Sequence, residues 1–343
     1  MNGRVPARAQ SAFGVARACV LGLALLGALG ASAAETERAG IRHWLARIHE
    51  AAGQRNFQGT FVVTSSGAVT SARIAHYSVG SNQYERIESL DGPAHNVYRH
   101  NDVVHTVWPE RKVVLVEQRD RLRSFPAVLL SGDYQLADHY ELRRVGGERV
   151  AGHQANVIEL KARDELRYGY RLWSDVTTGL LLRSDVTGAK GEVLESSAFS
   201  DVVINVRPQP DSVLQPMRRV DGMRVVKPKL ATARLEDEGW LLRNAVAGFR
   251  PVSSVRRSLP AAHGDADAAA QGEALQAIYA DGLAYVSLFI EAYDATRHAR
   301  PLLTVSGATH TLTRRLGEHW LTLVGDVPAE TLRAFAKSIE RAR

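Results

Sequence analysis

Apolar and polar residues alternate in short runs from Phe57 to about Asn205. Runs rich in β-branched and aromatic residues with a period of two predict strands. They fall at 57–63, 72–79, 83–90, 96–99, 103–108 and 112–116, then at 140–145, 155–161, 168–174, 180–185 and 193–205. Ser65-Ser66-Gly67, Gly80-Ser81-Asn82, Asp91-Gly92-Pro93, Asn101-Asp102, Gly146-Gly147 and the 175–179 stretch supply turns between them. This spacing marks an antiparallel meander. The stretch 119–132, with Phe125 and Val128 to Leu130 apolar, reads as a loop or short helix. Ahead of the strands, Ile41, Trp44, Leu45 and Ile48 follow helical spacing, with Glu35 and Glu37 before them and Gly53 after. A large curved sheet needs a cover for its apolar face, and this helix is the available plug.

The pattern breaks at Arg207-Pro208-Gln209-Pro210-Asp211. Residues 207–227 hold three prolines and a basic group, Arg218, Arg219, Arg224 and Lys227, and read as a linker that could also meet an anion or acidic partner. A second domain, 228–343, has strand-like runs at 249–255, 284–293, 302–305 and 319–324. It ends in a helix opened by Pro328, with Leu332, Phe335, Ala336 and Ile339 at helical spacing. Between Pro260 and Gly272 no bulky apolar residue occurs, and a loop is expected.

Composition changes the picture at the N-terminus. The 343 residues are 45% hydrophobic and 23% charged, which is ordinary for a globular protein. Arg4, Arg8 and Arg17 precede an apolar run from Val20 to Leu29, followed by Ala31-Ser32-Ala33-Ala34. That order is a secretory signal, and cleavage after Ala33 or Ala34 is expected. A retained anchor is the alternative, and the small-residue site argues against it. Removing 1–33 takes three arginines and no acid, leaving 40 basic against 37 acidic residues, a net +3. General nucleic-acid binding is not implied. Cys19 lies in the signal, so thiol catalysis and cysteine-bound metals are excluded from the mature chain. No later segment has the ~18 consecutive apolar residues of a membrane span.

No H-E-x-x-H, G-x-S-x-G, Walker or G-x-G-x-x-G motif occurs. His95, His100 and His105 are spaced by five, which alternates faces within one strand. No metal, cofactor or catalytic set is nominated. The remaining candidate is apolar surface on the curved sheet. Phe61, Tyr77, Tyr84, Val107 and Trp108 read either as filled core or as the lining of an acyl-chain pocket.

Longer stretches carry a family resemblance. They include Asn56-Phe57-Gln58-Gly59-Thr60-Phe61-Val62 and Glu88-Ser89-Leu90-Asp91-Gly92-Pro93-Ala94. Leu172-Trp173-Ser174-Asp175 follows, with Thr178-Gly179-Leu180 through Asp185. In the second domain they are Gly248-Phe249-Arg250, Tyr279 to Ala284, and His319-Trp320 with Val324 to Pro328. In this order the chain resembles the RseB/MucB periplasmic regulators of an envelope-stress sigma factor. The resemblance implies an α+β, mostly β fold. A large half-open antiparallel β barrel (LolA/LppX-like), plugged by helices, spans 34–206, and a smaller C-terminal α+β domain follows. It implies a periplasmic, non-enzymatic regulator without cofactors. Such a protein binds the periplasmic domain of a RseA/MucA-type anti-sigma factor and shields it from a site-1 protease of the DegS type. It releases that factor on sensing mislocalised lipopolysaccharide or lipoprotein. A lipid or lipoprotein carrier of the LolA type is the alternative. The apolar set and the basic group are expected contact regions from their pattern alone. Oligomeric state is left open.

Overall fold

The alternation after Phe57 folds as expected, except that Gly146-Gly147 lies inside a strand, at a bulge, and not in a turn. The computed structural model describes residue 40 and residues 43–118, 136–244, 246–258, 272–298 and 300–342. The expected signal segment, the 119–132 stretch and nearly all of the 260–272 loop lie outside the described residues. A helix, α1, covers 43–54. Eleven strands follow: β1 (Phe57–Ser65), β2 (Ala68–Val79), β3 (Asn82–Ser89), β4 (Asn96–His100), β5 (Val103–Trp108), β6 (Val113–Gln118), β7 (Tyr140–Val150), β8 (His153–Ala162), β9 (Gly169–Asp175), β10 (Leu181–Thr187) and β11 (Val193–Ile204). A four-residue helix, α2 (Leu136–His139), precedes β7.

The segment expected as a linker is structured. It carries α3 (Asp211–Arg218) and β12 (Arg224–Val226), and β12 pairs parallel with β6. The cause is apolar: Val213 is fully buried against Tyr98, Val107 and Val114, with Met217, Val220 and Met223 packed around them. The prolines that suggested a linker leave these contacts intact.

The first sheet has twelve strands in the order β12-β6-β5-β4-β3-β2-β1-β11-β10-β9-β8-β7. Its two end strands do not pair, so the sheet is a half-open barrel. The first strand sits in the middle, between β2 and β11. At Gly59 a Cβ would run into the Asp201 carbonyl of β11, and the β1–β11 register shifts at Thr60/Phe61. Only glycine allows that approach. One face buries Phe57, Ile74, Trp173, Leu180, Leu182 and Phe199 together.

The Asp175-x-x-Thr-Gly sequence makes the β9–β10 turn. Asp175 Oδ1 accepts from the Thr178 amide at 2.6 Å and its hydroxyl at 2.7 Å. Gly179 takes φ +80° directly beneath the Arg47 carbonyl of α1. The Arg47 guanidinium donates back to the carbonyls of Val176 and Thr177. Gln83 fastens the end of the same helix through a 2.8 Å bond from Nε2 to the Gly53 carbonyl. With α3 over β3 and β4, helices plug the half-barrel.

The C-terminal part is the expected α+β unit. Its strands are β13 (Leu230–Thr232), β14 (Trp240–Leu242), β15 (Arg250–Ser258), β16 (Glu273–Ala280), β17 (Tyr285–Ala292), β18 (Leu302–Ser306), β19 (Thr309–Leu316), β20 (His319–Gly325) and β21 (Ile339–Arg341). Seven of them form one sheet, ordered β13-β15-β16-β17-β20-β19-β18, while β14 and β21 pair separately. Helix α4 (Ala329–Ser338) packs on this sheet, with Phe335 fully buried against Phe249 and Tyr279.

The two sheets are joined by a buried polar cluster. Asp281 Oδ2 accepts from Arg167 Nε at 2.8 Å and from the Tyr140 hydroxyl at 3.0 Å. Its Oδ1 accepts the amides of Leu283 and Ala284. Arg167 also donates to the Ala247 carbonyl and lies 5.1 Å from the Phe249 ring centroid. Burial, then the Asp281 carboxylate, pushes the Tyr140 phenol well above its ordinary range. Tyr140 is therefore a neutral donor at any working pH. No helix among the described residues is long and apolar enough to cross a membrane.

Candidate functional site

Cross-strand register sorts the apolar candidates by face, because directly opposed residues in a sheet point the same way. Tyr77 opposes Tyr84, Tyr84 opposes His100, and His100 opposes Val103. Val107 lies on that same face, the one α3 covers. Phe61 opposes Ala72 and shares the parity of Ile74, so it belongs to the other face. Trp108 follows Val107 and also points to the other face. The five residues thus divide three against two and do not line one cavity. Tyr77 is buried, and Tyr84 stacks on His100 with centroids 4.8 Å apart.

The histidine spacing has a different outcome from the one expected. His100 ends β4 and His105 lies on β5, so the spacing crosses a hairpin turn and puts both on the α3 face. Burial lowers the His105 pKa from its ordinary value, and the nearby Lys227 ammonium adds to that. No group of three or more metal-ligating side chains occurs among the described residues.

The open feature on this face is a groove of about 390 Å³ between α3 and the β4–β5 strands. Asn96, Tyr98, Val107 and Pro109 line it from the sheet, and Asp211, Ser212, Gln215, Pro216 and Arg219 from the helix side. It brings together one residue of each expected set, Val107 and Arg219. Arg218 closes α3, where a cation is favoured by the helix dipole. Arg218, Arg219, Arg224 and Lys227 are all exposed, and none makes a salt bridge among the described residues. The groove is therefore a mixed apolar and polar slot with cations beside it. The slot thus offers an apolar floor with an acid, Asp211, and cations at its rim. Asn96, Tyr98 and Gln215 were not singled out from the sequence. The signal for them was the Val213/Met217 spacing, which marks the buried stripe of a short helix.

Comparison with known proteins decides the family. The MucB/RseB N-terminal domain model matches residues 40–217, and the MucB/RseB C-terminal domain model matches 234–340. This chain belongs to the MucB/RseB family. It is 32% identical over 324 residues to the sigma factor AlgU regulatory protein MucB of Pseudomonas aeruginosa, covering 92% of this chain and 96% of that one. It is 24% identical over 299 residues to the sigma-E factor regulatory protein RseB of Escherichia coli K12, covering 86% and 89%. Among solved structures, MucB in complex with MucA(peri) aligns with a TM-score of 0.64 and 28% identity over 88% of this chain and 99% of that one. The MucB/RseB relatives are named as regulatory proteins.

Proposed function

We propose that this chain is a periplasmic regulator that binds the periplasmic segment of a transmembrane anti-sigma factor. While bound, it shields that segment from site-1 proteolysis. The similarity to MucB, solved in complex with MucA(peri), carries this reading because it spans nearly the whole chain. The secretory pattern of residues 1–33 supports export and cleavage. The protein acts without chemistry of its own. A lipopolysaccharide or lipoprotein signal releases the partner. The groove between α3 and β4–β5, with Arg218, Arg219, Arg224 and Lys227 beside it, forms part of the contact surface.

Calorimetric titration of the mature protein with the purified anti-sigma segment from the same genome tests this. Binding at about micromolar affinity or tighter is expected, weakened when lipopolysaccharide is added. Replacing the four basic residues with alanine should weaken binding by roughly tenfold at low ionic strength, and less in high salt. Unchanged affinity at low salt would remove that group from the surface. An absence of binding by the wild-type chain would overturn the function, and lipid co-purifying with the protein would then favour a carrier.

A further inference from the structure

Among the described residues the two large sheets offer four edges, and they are not alike. β7 carries Arg143, Arg144, Glu148 and Arg149 and bulges between Arg144 and Gly146. Charge and a bulge are the usual protection of an edge against a further strand. β12 and β13 have three residues each. β18 has five residues, Leu-Leu-Thr-Val-Ser, with no charge and no register shift, and Leu302 and Val305 are 49% and 61% exposed.

The hairpin geometry shows which amides are free. β18 and β19 join through Gly307-Ala308, and Ser306 opposes Thr309. Residues flanking a two-residue turn exchange both hydrogen bonds, and the pattern then alternates. Thr304 and Leu302 therefore bond inward, while the N–H and C=O of Leu303 and Val305 point away from the sheet.

A groove of about 340 Å³ lies beside this edge, between the hairpin and α4. Leu303, Leu312 and Ala336 line it, and Arg314, Arg333 and Lys337 are the charged residues around it. Arg333 pairs with Glu330. Arg314 donates to the Ala336 carbonyl, and neither Arg314 nor Lys337 has a carboxylate partner among the described residues.

We propose that the β18 edge and this groove dock an extended, acidic stretch of the anti-sigma segment, which adds to the sheet as an eighth strand. The inference rests on the function proposed above and names where the partner makes backbone contact. A strand laid about 4.8 Å from β18 satisfies the outward groups of Leu303 and Val305. Its alternate side chains fall over the apolar groove, and its carboxylates meet Arg314 and Lys337. A second copy of this chain fits less well, because edge-to-edge pairing sets two copies of Arg314 and Lys337 on one face. An acyl chain would fill the groove and leave the free amides unmet.

The test uses the full mature protein and the purified anti-sigma segment. Val305→Pro removes an outward amide and leaves the inward ladder of the hairpin. Arg314→Glu with Lys337→Glu reverses the charge at the groove and leaves the edge. Each should weaken binding tenfold or more, the charge reversal in a salt-dependent way. Amide exchange at Leu303 and Val305 should slow in the complex. If Val305→Pro lowers the melting midpoint sharply, the charge reversal and the exchange rates decide. Wild-type affinity in both variants would overturn this docking site and leave the function standing. No binding by the wild-type chain would overturn both. A wild-type dimer in sedimentation that Val305→Pro abolishes would assign the edge to a second copy. Slowing of the two amides by lipopolysaccharide alone would assign it to lipid. Either result overturns the proposal.

Discussion

Asp281→Ala is expected to destabilise the protein by about 3–5 kcal/mol, the range for breaking a buried ion pair from one side. The Arg167 and Asp281 side chains are both fully buried. Without the carboxylate, Arg167 keeps Asp164 and the Ala247 carbonyl, while its Nε loses its partner. The Tyr140 hydroxyl and the amides of Leu283 and Ala284 are orphaned as well. The damage falls where the sheets meet, since Arg167 and Tyr140 belong to the first part and Asp281 to the second. Urea unfolding of the wild type should be a single transition, and that of the variant should separate into two. Asp281→Asn keeps the shape and one acceptor, and should cost less. A loss below about 1 kcal/mol in the alanine variant would mean that water or a rearranged Arg167 replaces the contact.

Phe335→Ala is the second large effect, also about 3–5 kcal/mol. The ring meets Phe249 edge-on at 5.5 Å and Tyr279 at 5.4 Å, in the core beneath α4. The loss should be local to the second sheet. It therefore reports on the binding surface as well as on stability. If both parts contact the anti-sigma segment, affinity should fall with the C-terminal transition on heating, while the twelve-stranded sheet stays folded. Full affinity above that transition would confine the surface to the first part. Thermal melts followed by near-ultraviolet circular dichroism, with titrations on either side of the first midpoint, make the measurement.

Much of the first sheet was legible because its strands obey a simple rule. β1 and β3 alternate, and turn residues punctuate them. The second sheet was less so. β16 reads Glu-Ala-Leu-Gln-Ala-Ile-Tyr-Ala, and alanine carries no strand signal although Ala274, Ala277 and Ala280 are buried. β19 reads Thr-His-Thr-Leu-Thr-Arg-Arg-Leu, and its pairing with β18 and β20 makes it a strand. α3 was hidden by Pro216, which sits inside the helix. Residue type alone nominates the apolar candidates. Which face each takes is a matter of parity between strands, and parity depends on turns that a residue list does not count. That is why Trp108 and Phe61 fell on the far side from Val107. The groove at α3 was half visible, through Val107 and Arg219, because its other residues are polar and ordinary along the chain.

The central position of β1 has a consequence for how the chain reaches this state. Phe57 opposes Ile204, so the strand made first cannot complete its pairing until β11 exists. About 140 residues must follow β1 before β11 is complete, whether the chain emerges from synthesis or from an export channel. Through that interval one edge of β1, with Phe61, Val62 and Val63, waits without a neighbour. Such long-range pairing makes folding slow, and it exposes a sticky edge to other chains. A nascent chain stopped before β11 should therefore aggregate or recruit chaperones, and pairing of β11 with β1 should be the committed step of folding.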